Sequence, residues 1–359
     1  MSRPVARFLS STSKARGVWS EYAARPSSLQ LVDKTARNEL FEGFSASGPS
    51  SMKSNNKHNY TSPELLDDTF KSAYEILEQD AARQYKFIEQ NKDKLSAKQL
   101  EKAMVKTEQY NPEVMYNTRE FADCLDRSVP VYRKFLKEKW ESYGQMITMQ
   151  RLEQLHVIPD TLPTLAPETE VNVKFGHNDE AEFADWVVPG TRLPAFAVSK
   201  PPTIEIQEFE PVENGTGLYT VLVVNPDVPD LSCNGYSTAL HYALVNVPLD
   251  FVNNTITPLS LVEHPERVLK PYMPLLPEKN VPTQRACLWV FRQGHELKDV
   301  GVSESQFDIR AFAEENQLHA VGAHVWRQDY DRSTNSVRAE YGLEKGRVFD
   351  QIRNAEPLL

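Results

Sequence analysis

Residues 218–247 constrain the chain more than any other stretch: LYTVLVV, then NPDVP, a polar loop, and STALHYALVNV. Leu218–Val224 is apolar, β-branched and bounded by turn residues, so it reads as a buried strand. Pro226 and Pro229 lack the N–H that a ladder needs, which predicts that Asn225–Pro229 leaves the sheet. Leu240–Val247 reads as a second strand, with His241, Ala243, Val245 and Val247 on one face by period-2 alternation. If the two strands are neighbours, Asp227 and His241 meet at one rim of the sheet.

The chain has 359 residues, which favours roughly two domains. No run approaches the length of about 18 apolar residues that a membrane span requires. Cys124, Cys233 and Cys287 lie far apart with no CxxC pair, which excludes a Cys-rich zinc site and gives no disulfide framework. The histidines form no HExxH, and His319 and His324 are poorly spaced for one helix face, so no metal is expected. Net charge is −10, unevenly spread: residues 1–58 hold nine Lys/Arg against four Asp/Glu, leaving 31 against 46. An acidic body is a poor general polyanion binder, so any contact with RNA is expected through local basic segments.

Met1–Ser20 carries Arg3, Arg7, Lys14 and Arg16, a Ser/Thr cluster and no acid, the composition of a mitochondrial transit peptide. Arg7-Phe8-Leu9-Ser10 looks like a matrix-processing site cut after Leu9. Residues 21–60 show little periodicity and read as an extended arm. A helical region is expected over 61–155. Thr61-Ser62-Pro63-Glu64 is a capping-box start, followed by an apolar stripe of Leu66, Phe70, Ala73, Leu77, Ala81, Tyr85 and Ile88. Ser96–Gln99 is a second capping box, a third helix begins at Pro112, and a longer one covers Pro130–Leu155. The plain reading of these stripes is packing onto the body; docking onto a partner is the other.

The strand, the Asn225-Pro226-Asp227-Val228-Pro229 turn and the His241-Tyr242 strand resemble the phosphatidylethanolamine-binding protein family, whose signature is Asp-Pro-Asp-x-Pro followed by His-Trp. The resemblance runs over about Val157–Tyr330 and includes Trp186–Gly190, Pro201–Ile204, Tyr272–Pro277 and Phe307–Ala313, where Asp308 is placed to cap a helix. It implies an α+β chain: a helical extension, then an antiparallel β-sandwich over 156–332 with a C-terminal helix, and an extension over 333–359. With the basic N-terminus and the helices, the chain further resembles the mitochondrial large-subunit ribosomal proteins built on this fold.

Family members hold a phosphate-like head group with Asp and His side chains and glycine backbone N–H groups. Here Pro274-Leu275-Leu276-Pro277 stands where the family has Gly-x-Gly-Pro, and Gln284-Arg285-Ala286 where it has His-Arg-Tyr. Asn225 replaces the first Asp, and Trp326 matches the family's late pocket aromatic. The vestigial pocket is therefore expected to comprise Asp227, His241, Pro274, Leu276, Gln284 and Trp326. Asp227 is expected to bond loop amides with His241 as its neighbour, without catalysis or a cofactor. The resemblance implies a structural role in the mitochondrial matrix near the central protuberance of the large subunit, among ribosomal proteins and rRNA. A working head-group or anion binder, or a protease or kinase inhibitor, is the alternative, and a hydrolase is third.

Overall fold

The computed structural model describes residues 19, 26–37, 65–211, 217–298, 301 and 306–350. Apart from Trp19, the expected transit peptide lies outside them, as does the capping box at Thr61–Glu64. The chain divides into two compact units, Met1–Leu136 and Lys137–Leu359.

In the first unit, helix α1 spans Leu66–Asn91, α2 Ala97–Glu108 and α3 Pro112–Glu120. The Ser96/Gln99 capping box forms in both directions, and Asn111 caps α3 ahead of Pro112. The stripe of α1 is only partly used. Ala81 and Ile88 are buried while Ala73 and Leu77 are exposed. At about 1.5 Å per residue, α1 is roughly twice as long as the α2 helix it pairs with, so half of it lacks that cover. Residues 26–37 of the expected arm belong to this unit's packing. Leu29 sits in a core with Val114, Val129, Val131 and Tyr132, and the Tyr132 hydroxyl donates to the Ser28 carbonyl at 2.9 Å. Arg37 Nε meets buried Glu113 at 2.6 Å. Trp19 is buried as well; its indole N–H donates to the Thr107 carbonyl at 2.9 Å and its ring packs on Tyr74 edge-on. The long helix read over Pro130–Leu155 is Pro130–Lys139 (α4) and Gln145–Gln154 (α5), joined by a π-turn at Trp140–Gly144.

The second unit is built on two antiparallel sheets. Strands β1 (Glu170–Lys174), β2 (Thr203–Gln207) and β5 (Thr255–Ile256) form the smaller. The larger has the order β6-β4-β3-β7-β8, with β3 Leu218–Asp230, β4 Gly235–Pro248, β6 Val268–Lys270, β7 Gln284–Gln293 and β8 Leu318–Gln328. Between the sheets lies one core, where Ile204, Ile206, Val221, Val223, Leu244, Leu288 and Val290 meet. The other face of the larger sheet buries Leu222, Val224, Trp289, Phe291 and Val325 under Leu152 of α5, Val157, Leu162 and Leu165. Helix α6 (Ile309–Glu315) adds Ile309 and Phe312 there, with Asp308 accepting from the amides of Arg310 and Ala311. Packing of the sheet unit thus already includes Leu152, ahead of the expected boundary at 156. Helix α7 (Thr334–Glu340), in the expected C-terminal extension, buries Thr334 and Val337.

Two expectations about the central hairpin fail. Asn225–Pro229 does not leave the sheet: β3 continues to Asp230, paired with β4 through Val228↔Ser237 and Asp230↔Gly235. Beyond Val224 the pairing with β7 has ended, so Pro226 and Pro229 lie on a strand with a free side, and a bulge lies between Asn225 and Val228. The face assignment of β4 also breaks. Ala243 joins Leu240 on the helix-covered face, whereas Val247 joins Tyr242 and Leu244 between the sheets. One bulge falls at His241 and another at Val245–Asn246, where Asn246 has φ 53°, and each extra residue reverses the alternation.

Candidate functional site

At the Asp227 end of the larger sheet a cleft of about 530 Å³ opens, lined by Asn225, His241, Met273, Pro274, Leu276 and Gln284, among others. Four of the six residues expected in a vestigial pocket border it. Asp227 and Trp326 do not.

Asp227 lies in the β3 bulge, and its carboxylate is taken by Arg285. Oδ2 accepts from the Arg285 backbone N–H at 2.9 Å and from Nε at 2.8 Å; Oδ1 accepts from Nη2 at 2.5 Å. Arg285 Nη1 reaches Asp160 at 2.9 Å and the Leu155 carbonyl at 2.6 Å. Burial acts to lower the Arg285 pKa, but the Asp227 hydrogen bonds and charge outweigh it and hold the pKa above its ordinary value. The expected bonding of Asp227 to loop amides beside His241 is thus replaced by a two-pronged ion pair plus one strand amide. Asn225 supplies the turn instead: its Oδ1 accepts from the Asp227 N–H at 3.0 Å, and its Nδ2 donates to Gln284 Oε1 at 3.1 Å. The family's first Asp position therefore holds an amide that stitches β3 to β7.

His241 is turned by its bulge onto the segment that stands in place of the glycine loop. Its carbonyl accepts from the Met273 N–H, and its Nδ1 pairs with the Met273 carbonyl, both at 2.9 Å. Burial pushes its pKa down to about 4, against the hydrogen bond to Met273 and with nearby Lys270 adding to the drop. The ring is neutral at neutral pH, and a carbonyl partner requires the proton on Nδ1. Nε2 is then an acceptor, unsuited to a phosphate oxygen. Among the lining residues only Ser232 carries a hydroxyl or thiol, and it donates to Asp230 at 2.6 Å. The cleft assembles no nucleophile–base pair from its described bonds.

Pro274 and Leu276 border the cleft, while Leu275 between them is buried in the inter-sheet core. The first offers no N–H and the second brings a bulky side chain, so the backbone cradle of an anion site is not rebuilt. Trp326 is fully buried, edge-on to Phe175 with ring centroids 5.7 Å apart, and its indole belongs to the core. Sequence reasoning missed the cleft's other wall. Arg338, Leu343, Arg347 and Phe349 line it from the C-terminal segment. Arg338 Nη1 donates to the Leu276 carbonyl at 3.2 Å, the Arg347 N–H to Glu278 at 3.0 Å, and the Phe349 N–H to the Lys279 carbonyl at 3.0 Å. No local pattern marks residues 341–349 as part of a site, because their partners lie some seventy residues earlier.

A family model for phosphatidylethanolamine-binding proteins matches residues 183–326. Large ribosomal subunit protein mL38 of Schizosaccharomyces pombe (strain 972 / ATCC 24843) is 27% identical over 221 residues, covering 60% of this chain and 68% of that protein. Among solved structures, carboxypeptidase Y inhibitor in complex with its cognate proteinase is similar at 15% identity and TM-score 0.39, over 51% of this chain and 95% of that one. A phosphatidylethanolamine-binding protein from Plasmodium vivax is similar at 16% identity and TM-score 0.36, over 51% of this chain and 98% of that one. Residues 183–326 are a phosphatidylethanolamine-binding-protein-like domain, carried in a chain similar to a large-subunit ribosomal protein.

Proposed function

We propose that the chain is a non-enzymatic structural constituent of the mitochondrial large ribosomal subunit, acting in the matrix with its phosphatidylethanolamine-binding-like domain as a docking scaffold. One observation carries this reading. The similarity to mL38 covers 60% of the chain, whereas residues 183–326 are about 40% of it, so the likeness reaches beyond the residues that the family model matches. The site supports the same reading: Asp227 is committed to Arg285, His241 is neutral and tied to Met273, and the glycine cradle is replaced. The acid-free N-terminus supplies the matrix address. Burial of Trp19 against Thr107 and Tyr74 favours processing near Leu9 over removal of all twenty residues.

Sedimentation of the tagged protein from mitochondrial lysate in moderate salt tests the role. Co-migration with large subunits is expected, and a wholly free pool overturns it. Calorimetry of the full chain with phosphoethanolamine tests the ligand-binding alternative. Little or no heat is expected, whereas a micromolar dissociation constant, about −8 kcal/mol, makes the chain a working head-group binder.

A further inference from the structure

Residues 187–193 run beside β8 and turn at Gly190. The Gly190 N–H donates to the Val325 carbonyl at 2.7 Å, the Arg327 N–H to the Thr191 carbonyl at 2.8 Å, and the Leu193 N–H to the Arg327 carbonyl at 2.9 Å. This pairing sets Arg192 beside Arg327, and Arg327 stands opposite Arg285 on β7. Three arginines therefore occupy one face in adjacent rows, about 4.8 Å from one row to the next. Leu193 lies on the other face, in the inter-sheet core. Helix α5 brings a fourth arginine. Gly190 has φ 84°, and a Cβ there would lie 3.3 Å from Arg151 Cδ, so the glycine lets the Arg151 stem close on the turn.

These arginines are held differently. Arg285 is matched by Asp227 and Asp160. Arg327 donates from Nε to the Gly190 carbonyl at 2.9 Å, and Arg151 from Nη1 to Gln154 at 3.2 Å; neither pairs with an acid among the described residues. Arg192 has Asp329 at 3.5 Å, but the two side chains are 61% and 44% exposed, so water screens that pair. Glu153, two residues beyond Arg151, leaves α5 about 200° further round the helix. Three guanidiniums thus surround Gly190 against one loosely held carboxylate. Like charges in neighbouring rows repel, and no bond of the fold requires Arg151 or Arg192 to be cationic.

We propose that Arg151, Arg192 and Arg327 bind the phosphate backbone of ribosomal RNA at the Gly190 turn, a deepening that rests on the ribosomal reading above. A guanidinium fork meets phosphate oxygens two at a time, and clustered forks supply the local positive site that a chain of net charge −10 needs to hold RNA. A surface with charge at its centre suits nucleic acid better than the apolar core of a protein interface. An acidic protein segment is the competing occupant, and the experiment separates the two.

The experiment is ultraviolet crosslinking of assembled large subunits holding the full-length chain, with peptides mapped by mass spectrometry. Residues 187–193 are expected to crosslink to RNA. The double variant Arg151→Gln, Arg192→Gln is expected to lose that crosslink and to leave the subunit at lower salt. Each phosphate contact contributes roughly 0.7–0.9 to the slope of log affinity against log salt, so two lost contacts flatten it by about 1.5. The double variant Arg151→Lys, Arg192→Lys keeps both stems and both charges, and should keep the wild-type slope while giving up the forks. A Lys pair that flattens the slope as much as the Gln pair overturns the proposal, because charge is then not the cause. It is also overturned by a crosslink from these residues to protein instead of RNA, or by an unchanged slope in the Gln pair. Absence of the wild-type chain from large subunits removes the ribosomal reading and this proposal with it; a bound chain whose Gly190 turn touches no RNA removes the proposal alone.

Discussion

Two arginines on β7 stand at opposite ends of the same strand and are held alike. Arg285 bridges Asp227 and Asp160; Arg292 bridges Glu208 at 2.7 Å and Glu168 at 2.8 Å. In each, one acid is well covered and the other is half exposed: the side chains are 18% and 44% accessible around Arg285, and 11% and 46% around Arg292. Nothing about the Arg292 end suggests a ligand. Its Glu208 also accepts from the Tyr219 hydroxyl at 2.5 Å, and burial followed by the Glu208 charge keeps that phenol protonated. The Arg285 end, where the family binds its head group, has acquired the same arrangement. Asp227 is used as Glu208 is used, to anchor β7 to a neighbouring segment. The difference lies in cover: a buried phenol closes the Arg292 end, whereas the Arg285 end borders an open cleft.

Substitutions at the two ends of β7 test whether its two ion pairs are equivalent. Arg292→Met leaves Glu208 buried beside Tyr219 without its cation and should cost about 3–5 kcal/mol, read as a lowered denaturant midpoint. A cost below about 1 kcal/mol would separate this end from a true buried pair. At the cleft end, Asp227→Asn should cost about 2–3 kcal/mol, and the double variant Asp227→Asn, Arg285→Met should cost little more than either alone. If Asp227→Asn leaves stability untouched, Asp227 is not the counterpart of Glu208, and a ligand role returns.

His241→Gln comes next. Its folded pKa of about 4 lies below the ordinary 6.5. The unfolded chain takes up the proton first, so stability is complete above pH 6.5 and falls as the pH drops toward 4. The full shift is worth up to about 3 kcal/mol. Buried His324, also pushed down to about 4, titrates in the same direction, so the variant should flatten only part of the acid loss. At neutral pH it should cost about 1–2 kcal/mol with subunit incorporation intact. An unaltered pH profile would show that the His241 ring is not held neutral by burial. The outer acids give the smallest effects. Asp160→Asn and Glu168→Gln should each cost under about 1 kcal/mol, and a larger loss at either would mean that the exposed half of its bridge carries the pair.

Features that depend on near neighbours along the chain are legible in the amino-acid order. The Ser96/Gln99 capping box, the Asn111-Pro112 start and the Asp308 cap each need only two to four residues, and each forms. The apolar run Leu218–Val224 had to be a buried strand, because its composition suits little else. The replacement of the glycines by Pro274 and Leu276 was likewise plain, and both do line the cleft. Which distant residues meet follows instead from how the strands pair and the sheets pack. Asp227 is bound to Arg285, 58 residues away, because the register of β3 on β7 brings them together. A single extra residue at His241 turned its ring onto Met273, and no spacing rule reveals where a bulge will fall. Pro226 and Pro229 stayed in β3 because β7 stops short of them, a fact about a neighbour's length. Trp326 became core, and residues 338–349 became a wall of the cleft, because burial and long-range hydrogen bonds are settled by the assembled sheets.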